Sequence, residues 1–312
     1  MDYPSYELLF SVAEVEDPAV TIVQELQRKY PNVSSELIVS KFSDEVNPKI
    51  NNLLDSYKKA KWDLLLISDS NIRVQPHYLK RMVPDFSQNV GIITGVVAGV
   101  SPRGLGGLLE ASYLNTFFTR WMFVTKHLGF PSVVGKSMLF RKQTIERIGG
   151  IKTLGSYIAE DYMAGHAMSK LDLRVELMRS PVEQHIGTYS LEQFWKRHLR
   201  WGRIRKSIAP LAFLAEPFFF SSISGMAGAY ALGTWFGIAF FEVWAVHMIG
   251  WALMDLSLHI LSDRFSMRAL GAWWVREALA LPLWGSILFG HTVDWRGARY
   301  RLLQGGLVEG DC

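Results

Sequence analysis

Over its first two thirds the chain alternates short apolar runs with amphipathic stretches. Residues 6–12 (YELLFSV) read as a strand, followed by an acidic turn of Glu14, Glu16, Asp17 and Pro18. A helix over 19–30 follows, with Val20, Val23 and Leu26 on one side. A second strand lies at 35–40 (SELIVS), a helix at 47–60, and a third strand in WDLLLISDS. Leu64 to Ile67 is continuously apolar, as a central strand covered on both faces must be, and it stops abruptly at Ser68, Asp69, Ser70 and Asn71. Strands alternating with helices predict an α/β fold, a mainly parallel sheet flanked by helices, with ligands at the carboxyl ends of the strands. Further on, 90–100 (VGIITGVVAGV) and SVVGKSMLFRK have strand character, and 105–126 is helical. A helix begins around the acidic pair within 156–170, and 189–203 (YSLEQFWKRHLRWGR) forms a basic, aromatic amphipathic helix.

From Ile208 the pattern changes. Residues 208–232, 233–261 and 270–290 are apolar stretches, each near the ~20 residues a helix needs to cross a bilayer core. Glu216 and Pro217 interrupt the first, Glu242 and Asp255 the second, Arg276 and Glu277 the third. Ionisable groups in lipid are costly unless paired or interfacial. The stretches predict membrane-associated or transmembrane helices, one or more of them interfacial or re-entrant; a helical soluble core is the alternative. Basic segments before (Lys196 to Lys206) and after (Arg296 to Arg301) predict cytosolic flanks. The start, MDYPSYELLFSVAEVED, lacks a basic n-region and carries acids where an h-region would be, so it does not read as a signal peptide. The expected organisation is a catalytic domain over 1–206, hydrophobic interfacial or transmembrane helices over 207–292, and a cytosolic tail over 293–312.

Composition narrows the classes. At 312 residues the chain can bury a core and form a site without disulfides or metals to hold it. Lys+Arg number 33 against 29 for Asp+Glu, an excess too small and too spread for nucleic-acid binding and better suited to anionic lipid. The single cysteine, Cys312, excludes an intrachain disulfide framework and a multi-cysteine zinc site, and agrees with a reducing, cytosolic face.

Four features carry candidate chemistry. Asp17, beyond the first strand, is placed to accept from the base or ribose of a nucleotide, or is an ordinary turn and helix cap. Asp69, at the end of the third strand, is placed to hold a divalent cation against a diphosphate leaving group, or bonds to its own loop. Glu160 and Asp161 offer a base for the proton of an attacking hydroxyl, or an acidic pair favourable to a helix start. Arg197 and Arg200, three apart, share a helix face and can grip phosphate with fixed forks beside Trp201; a solvated basic helix is the alternative. Gly129-FPSVV-Gly135-Lys136-Ser137 looks like a phosphate loop, but five residues separate its glycines where that motif has four. His127, His166, His185 and His198 show no metal-ligand spacing and read as packing or surface residues.

In order, Asp17, Asp69, Asp161 and Arg197-x-x-Arg200-Trp201 resemble the D, D, D, (Q/R)xxRW signature of the ceramide glucosyltransferases, which belong to the inverting GT-A glycosyltransferases. DYPSYELL, KYPNV, NPKINNL, DSNIRV, YIAEDY and WRGARYRL are similar to phrases of that family too, so the resemblance covers essentially the whole chain. It implies a UDP-sugar donor bound by Asp17 and Asp69, with Mg2+ or Mn2+ at Asp69. Asp161 would be the base for the primary hydroxyl of ceramide, Arg197, Arg200 and Trp201 would lie near diphosphate and acceptor, and Glu160 and Lys49 would support them. Where many GT-A enzymes have Asp-x-Asp, this chain has Asp69-Ser70-Asn71, so the metal would rest on Asp69 with phosphate oxygens and water. Family members normally begin with a transmembrane helix and a first strand. This chain opens on what looks like the second strand, so a truncated chain or a fragment is expected. Another UDP-hexose, a hopanoid or other lipid alcohol as acceptor, and an inactive membrane protein remain alternatives. The expected place is a membrane, with the catalytic domain facing the cytosol.

Overall fold

The computed structural model describes residues 1–41, 45–261, 266–295 and 297–310; Arg296 and Cys312 of the readings above lie outside them. The chain folds as two compact units, Met1–Val96 with Thr125–Val182, and Val97–Val124 with Glu183–Cys312.

In the first unit the strands Leu8–Val12 and Ser35–Val39 pair in parallel, Leu8 opposite Ser35, joined through the helix Ala19–Lys29. The helix Pro48–Lys59 starts at Asn47, whose side-chain oxygen accepts from the N–H groups of Lys49 and Ile50. Pro48 takes the first helical position, where a missing N–H leaves nothing unpaired. This start fixes Lys49 in the first turn. The central sheet runs Leu64–Ser68, Ser137–Arg141, Val90–Thr94, Arg174–Leu177. Val90–Thr94 and Arg174–Leu177 are parallel, but Ser137–Arg141 is antiparallel to both its neighbours.

The α/β class, with helices flanking the sheets, is therefore as expected, while this sheet is mixed rather than mainly parallel. Apolar runs report burial and not direction. Ser137–Arg141 enters after the chain has left the unit at Val96 and returned at Thr125, so no short crossover sets its orientation. The predicted single strand 90–100 is two, Val90–Thr94 and Val97–Arg103, separated where the units divide. Ile50 and Tyr57 pack with Ile92, Met138 and Phe140 of the sheet and with Ala164 and Met168 of the helix Glu160–Lys170. That helix presses on the loop before it. A Cβ at Gly165 would stand 2.3 Å from the Pro131 carbonyl oxygen.

In the second unit the helix Gly104–Tyr113 runs through one π turn, Leu114–Phe118, into Thr119–His127, whose last three residues belong to the first unit. The helix Leu191–Ile208 opens on a reciprocal cap: Ser190 Oγ accepts from Gln193 N–H, and Gln193 Oε1 accepts from Ser190 N–H. Gly106 lets these two helices touch, since a Cβ there would stand 2.1 Å from the Ser190 carbonyl oxygen. The Leu191–Ile208 helix, which the sequence assigns to the catalytic segment 1–206, folds within this second unit. The final residues form an antiparallel sheet of Thr292–Trp295, Ala298–Leu302 and Val308–Gly310.

The apolar stretches become the helices Pro210–Ala215, Ser221–Phe236, Phe240–Leu261 and Met267–Leu288. The break expected at 232/233 falls at Gly237, whose φ of 66° ends the helix. Among the described residues no single helix is long and apolar enough to cross a membrane; Pro210–Phe219 and Ser221–Phe236 pass only together, bent by 68°. A bent pair of this kind is compatible with the interfacial or re-entrant helices read from the sequence, because charge and bends divide the apolar runs. Most of those charges are paired. Arg205 Nε donates to Glu216 at 2.6 Å, Arg120 pairs with Asp255, and Arg276 pairs with Glu277. Trp273 Nε1 donates to Asp255 at 2.7 Å, and the Ser221 hydroxyl donates to Glu277 at 2.6 Å. Large apolar side chains meanwhile face outward, among them Trp235 and Phe241, 76% and 78% exposed.

Candidate active site

Lys49 stands at the centre of a cluster in the first unit. Its Nζ lies 3.1 Å from Asp69 Oδ1 and 2.9 Å from Glu160 Oε1, and donates to the Gly135 carbonyl oxygen at 2.9 Å. Three elements supply it: the first turn of Pro48–Lys59, the loop after Leu64–Ser68, and the first turn of Glu160–Lys170. Burial works against the Lys49 charge, but Glu160, Asp69 and Asp161 outweigh it and hold the ammonium firmly protonated. Asn47 links the helix cap to the same cluster, its Nδ2 donating to Glu160 Oε2 at 3.2 Å and to the Tyr157 carbonyl at 2.7 Å.

Asp161 is the carboxylate with altered chemistry. Burial, followed by the neighbouring charge of Glu160, pushes its pKa up to about 6 against the pull of Lys49 and two N–H groups. Those are Gly135 N–H, donating to Oδ2 at 2.7 Å, and Tyr162 N–H, donating to Oδ1 at 2.8 Å. A carboxyl poised there is half ionised at about pH 6 and mostly ionised at neutrality, close to where a general base works best. Gly135 is needed for space: a Cβ would stand 2.9 Å from Lys49 Nζ and 3.1 Å from both Asp161 Oδ2 and Glu160 Oε1.

Asp69 forms the outer wall of the cluster. Its carboxylate is 30% exposed against 8% for Glu160, with Lys136 Nζ 3.4 Å from Oδ2; Lys136 Nζ also donates to Asn71 Oδ1 at 3.0 Å. Magnesium is commonly held by one or two carboxylates and completes its shell with phosphate oxygens and water, and Asp69 suits that donor set. A cage built by protein alone does not fit, since no group of three or more His, Cys, Asp or Glu among the described residues could hold an ion.

The structure thus brings together Asp69, Asp161, Glu160 and Lys49. Asp17 makes a helix-start bond, Oδ1 accepting from Ala19 N–H at 2.8 Å. Arg197, Arg200 and Trp201 lie on Leu191–Ile208 in the second unit. The Arg197 guanidinium covers the Trp201 ring at 4.1 Å, and its Nε is 3.0 Å from Glu110 Oε1. Glu110 Oε2 faces His198 Nε2 at 2.8 Å. Burial outweighs Glu110 and keeps the His198 pKa low; burial, then the charge of Arg197, also lowers that of Arg200. Gly135 and Lys136 lie in the stretch that looks like a phosphate loop, which sequence reasoning read instead as a strand and loop beside the acceptor. Glu110, the partner of Arg197 and His198, is the residue that sequence reasoning missed; it is the one acid in the run 104–118, which was the available signal.

Comparison with known proteins adds a lineage. The profile described as Glycosyl transferase family 21 matches residues 1–308. The chain is similar to ceramide glucosyltransferase 1 of Caenorhabditis elegans, 26% identical over 98% of this chain and 67% of that protein. It is similar to ceramide glucosyltransferase 3 of the same organism, 28% identical over 98% of this chain and 68% of that protein. A ceramide glucosyltransferase of Candida albicans is 24% identical over 96% of this chain and 82% of its own length.

Proposed function

This chain belongs to glycosyltransferase family 21, and we propose that it transfers glucose from UDP-glucose to the primary hydroxyl of ceramide with inversion at the sugar. Asp161 takes the hydroxyl proton as the oxygen attacks the anomeric carbon. The bond from that carbon to the diphosphate breaks, and UDP leaves with the electron pair. The observation that carries this reading is the Asp161 carboxyl itself: raised to about 6, and held by Gly135 and Tyr162 so that its orientation is set before substrate arrives.

The other residues take roles that follow from charge. Lys49 offsets the three carboxylates and keeps Glu160 and Asp69 in place beside the base. Asp69 would hold Mg2+ or Mn2+, which supplies positive charge to the departing diphosphate when bound. Arg197 and Arg200, with Trp201, are assigned to diphosphate and acceptor, and Asp17 to the nucleotide, as the family signature implies. The outward apolar faces of Ser221–Phe236 and Phe240–Leu261 suit contact with a membrane, where the acceptor lipid resides. The catalytic unit then faces the cytosol.

The test is the full chain in phospholipid vesicles with UDP-glucose and ceramide, the lipid product read by mass spectrometry and its anomeric configuration by NMR. A β-glucosylceramide formed by the wild type and not by Asp161→Asn is expected. Equal turnover by both excludes Asp161 as the base, and hexosylation of only another lipid alcohol excludes ceramide.

A further inference from the structure

The strands Leu64–Ser68 and Ser137–Arg141 run antiparallel with Ser68 opposite Ser137. Continued by one residue, the same register sets Asp69 opposite Lys136, and the Asp69 N–H donates to the Lys136 carbonyl oxygen at 3.0 Å. Residues directly opposite in such a pair place their side chains on one side of the sheet, so these two meet at the strand ends. Asp69 thereby faces an ammonium with each oxygen: Lys49 Nζ lies 3.1 Å from Oδ1 and Lys136 Nζ 3.4 Å from Oδ2. The two lysines are held differently. Lys49 also reaches Glu160 and the Gly135 carbonyl, on separate segments of the chain, and these contacts fix it. Lys136 donates to Asn71 Oδ1 at 3.0 Å, at the surface, so this acceptor and Asp69 belong to one loop.

Lys136 directly follows Gly135, whose N–H holds Asp161 Oδ2. One dipeptide therefore links the base to an ammonium at the outer wall of the cluster. A diphosphate leaving group gains negative charge as its bond to the sugar breaks, and beside three acids it needs a positive charge that can turn to it. Lys49 is committed to Glu160 at 2.9 Å. The contact of Lys136 with Asp69 is looser, 3.4 Å against the ~2.7–2.9 Å of a strong charge-assisted bond. A dication held by Asp69 would also compete with Lys136 for the same carboxylate. Lysine binds phosphate as a point charge, so the ammonium can exchange one anion for another without a fixed fork to realign. We propose that Lys136 is a diphosphate-binding residue of the donor site, paired with Asp69 in the free enzyme and turned to the leaving diphosphate when the donor enters. The proposal rests on the transferase reading, and it gives Gly135-Lys136-Ser137 a phosphate role without the glycine spacing of a phosphate loop.

The test is binding of UDP and of UMP, which lacks the second phosphate, by calorimetry with Mg2+ on the full wild-type chain and on Lys136→Met. UDP affinity should fall about tenfold or more, the worth of one hydrogen bond between charged groups, while UMP affinity holds. An equal fall for both, or no fall for UDP, overturns the proposal. Mn2+ without nucleotide, read by electron paramagnetic resonance, should bind Lys136→Met about fivefold more tightly, the effect in water of one unit charge at about 4 Å. Equal or weaker Mn2+ binding overturns the exchange at Asp69. Should Lys136→Met fail to fold, a pyridoxal ester of UDP decides on the wild type. Its aldehyde forms an imine with a lysine amine, with loss of water, and borohydride reduces the imine to a stable label. A label on Lys136 that UDP blocks supports the proposal, and labelling that spares Lys136 overturns it. If the wild type binds neither UDP nor UMP, the transferase reading has failed, and inorganic pyrophosphate decides the subsite alone. Pyrophosphate binding that drops in Lys136→Met supports it; absent or unchanged binding overturns it.

Discussion

In the first unit Asp69, Glu160 and Asp161 gather around Lys49, with Lys136 at the rim; in the second, Asp255 and Glu277 meet Arg120 and Arg276. The second set balances two anions with two cations, and Trp273 and Ser221 cap the remaining carboxylate oxygens. It joins helices that are otherwise apolar. The first set has three acids for two lysines, and Asp69, Lys49 and Asp161 keep contact with water. A closed, neutral cluster like the second holds the helices together. In the first, burial, followed by the charge of a neighbouring acid, raises the proton affinity of Asp161, and that member can then do chemistry.

Substitutions test this contrast, starting with the largest effect. Asp161→Asn should lower kcat about 10³-fold, the range lost with a general base, while UDP binding by calorimetry stays near wild type. If UDP binding falls as far as turnover does, Asp161 holds donor and not a proton. Asp255→Ala should act on the fold instead, leaving Arg120 and Arg276 buried without their carboxylate, at a cost of about 3–5 kcal/mol in denaturant unfolding. Activity should fall only with the folded fraction; a stable but inactive variant would break the contrast. Gly135→Ala crowds Lys49, Asp161 and Glu160 together, and a roughly tenfold loss in kcat is expected from so small a misplacement. Glu192→Ala removes an exposed pair with Lys196 and should change neither melting temperature nor rate.

Much of the first unit was legible in the sequence. The helices over 19–30 and 47–60 form as Ala19–Lys29 and Pro48–Lys59, and the Asp69 loop follows its apolar strand as read, because period and capping act locally. Strand direction was not legible, since Ser137–Arg141 is buried on both faces and carries no alternation to orient it. The resemblance put Lys49, Asp69, Glu160 and Asp161 at one site, but the contacts of Lys49 with Asp69, Gly135 and Glu160, residues up to 111 positions apart, were not legible, since only the folded chain makes them. In the second unit Glu216, Glu242, Asp255, Arg276 and Glu277 read as interruptions of apolar runs. The pairings Arg120 with Asp255 and Arg205 with Glu216 that make those charges tolerable are products of tertiary packing.

The pH dependence of transfer tests the central claim most directly. Asp161 acts as a base only when ionised, and its pKa in the free enzyme is raised to about 6, so kcat/KM should climb through about pH 6 and level off above it. The sign for stability is opposite. The folded state favours protonated Asp161, so its contribution is present below about pH 4 and lost as pH rises through about 6. Glucosylation of ceramide in vesicles, measured from about pH 5 to 8 on wild type and Asp161→Asn, is the experiment. The account predicts a rising limb near pH 6 in the wild type that vanishes with the carboxylate; a wild-type rate flat across that range, or the same limb surviving in Asp161→Asn, would contradict it.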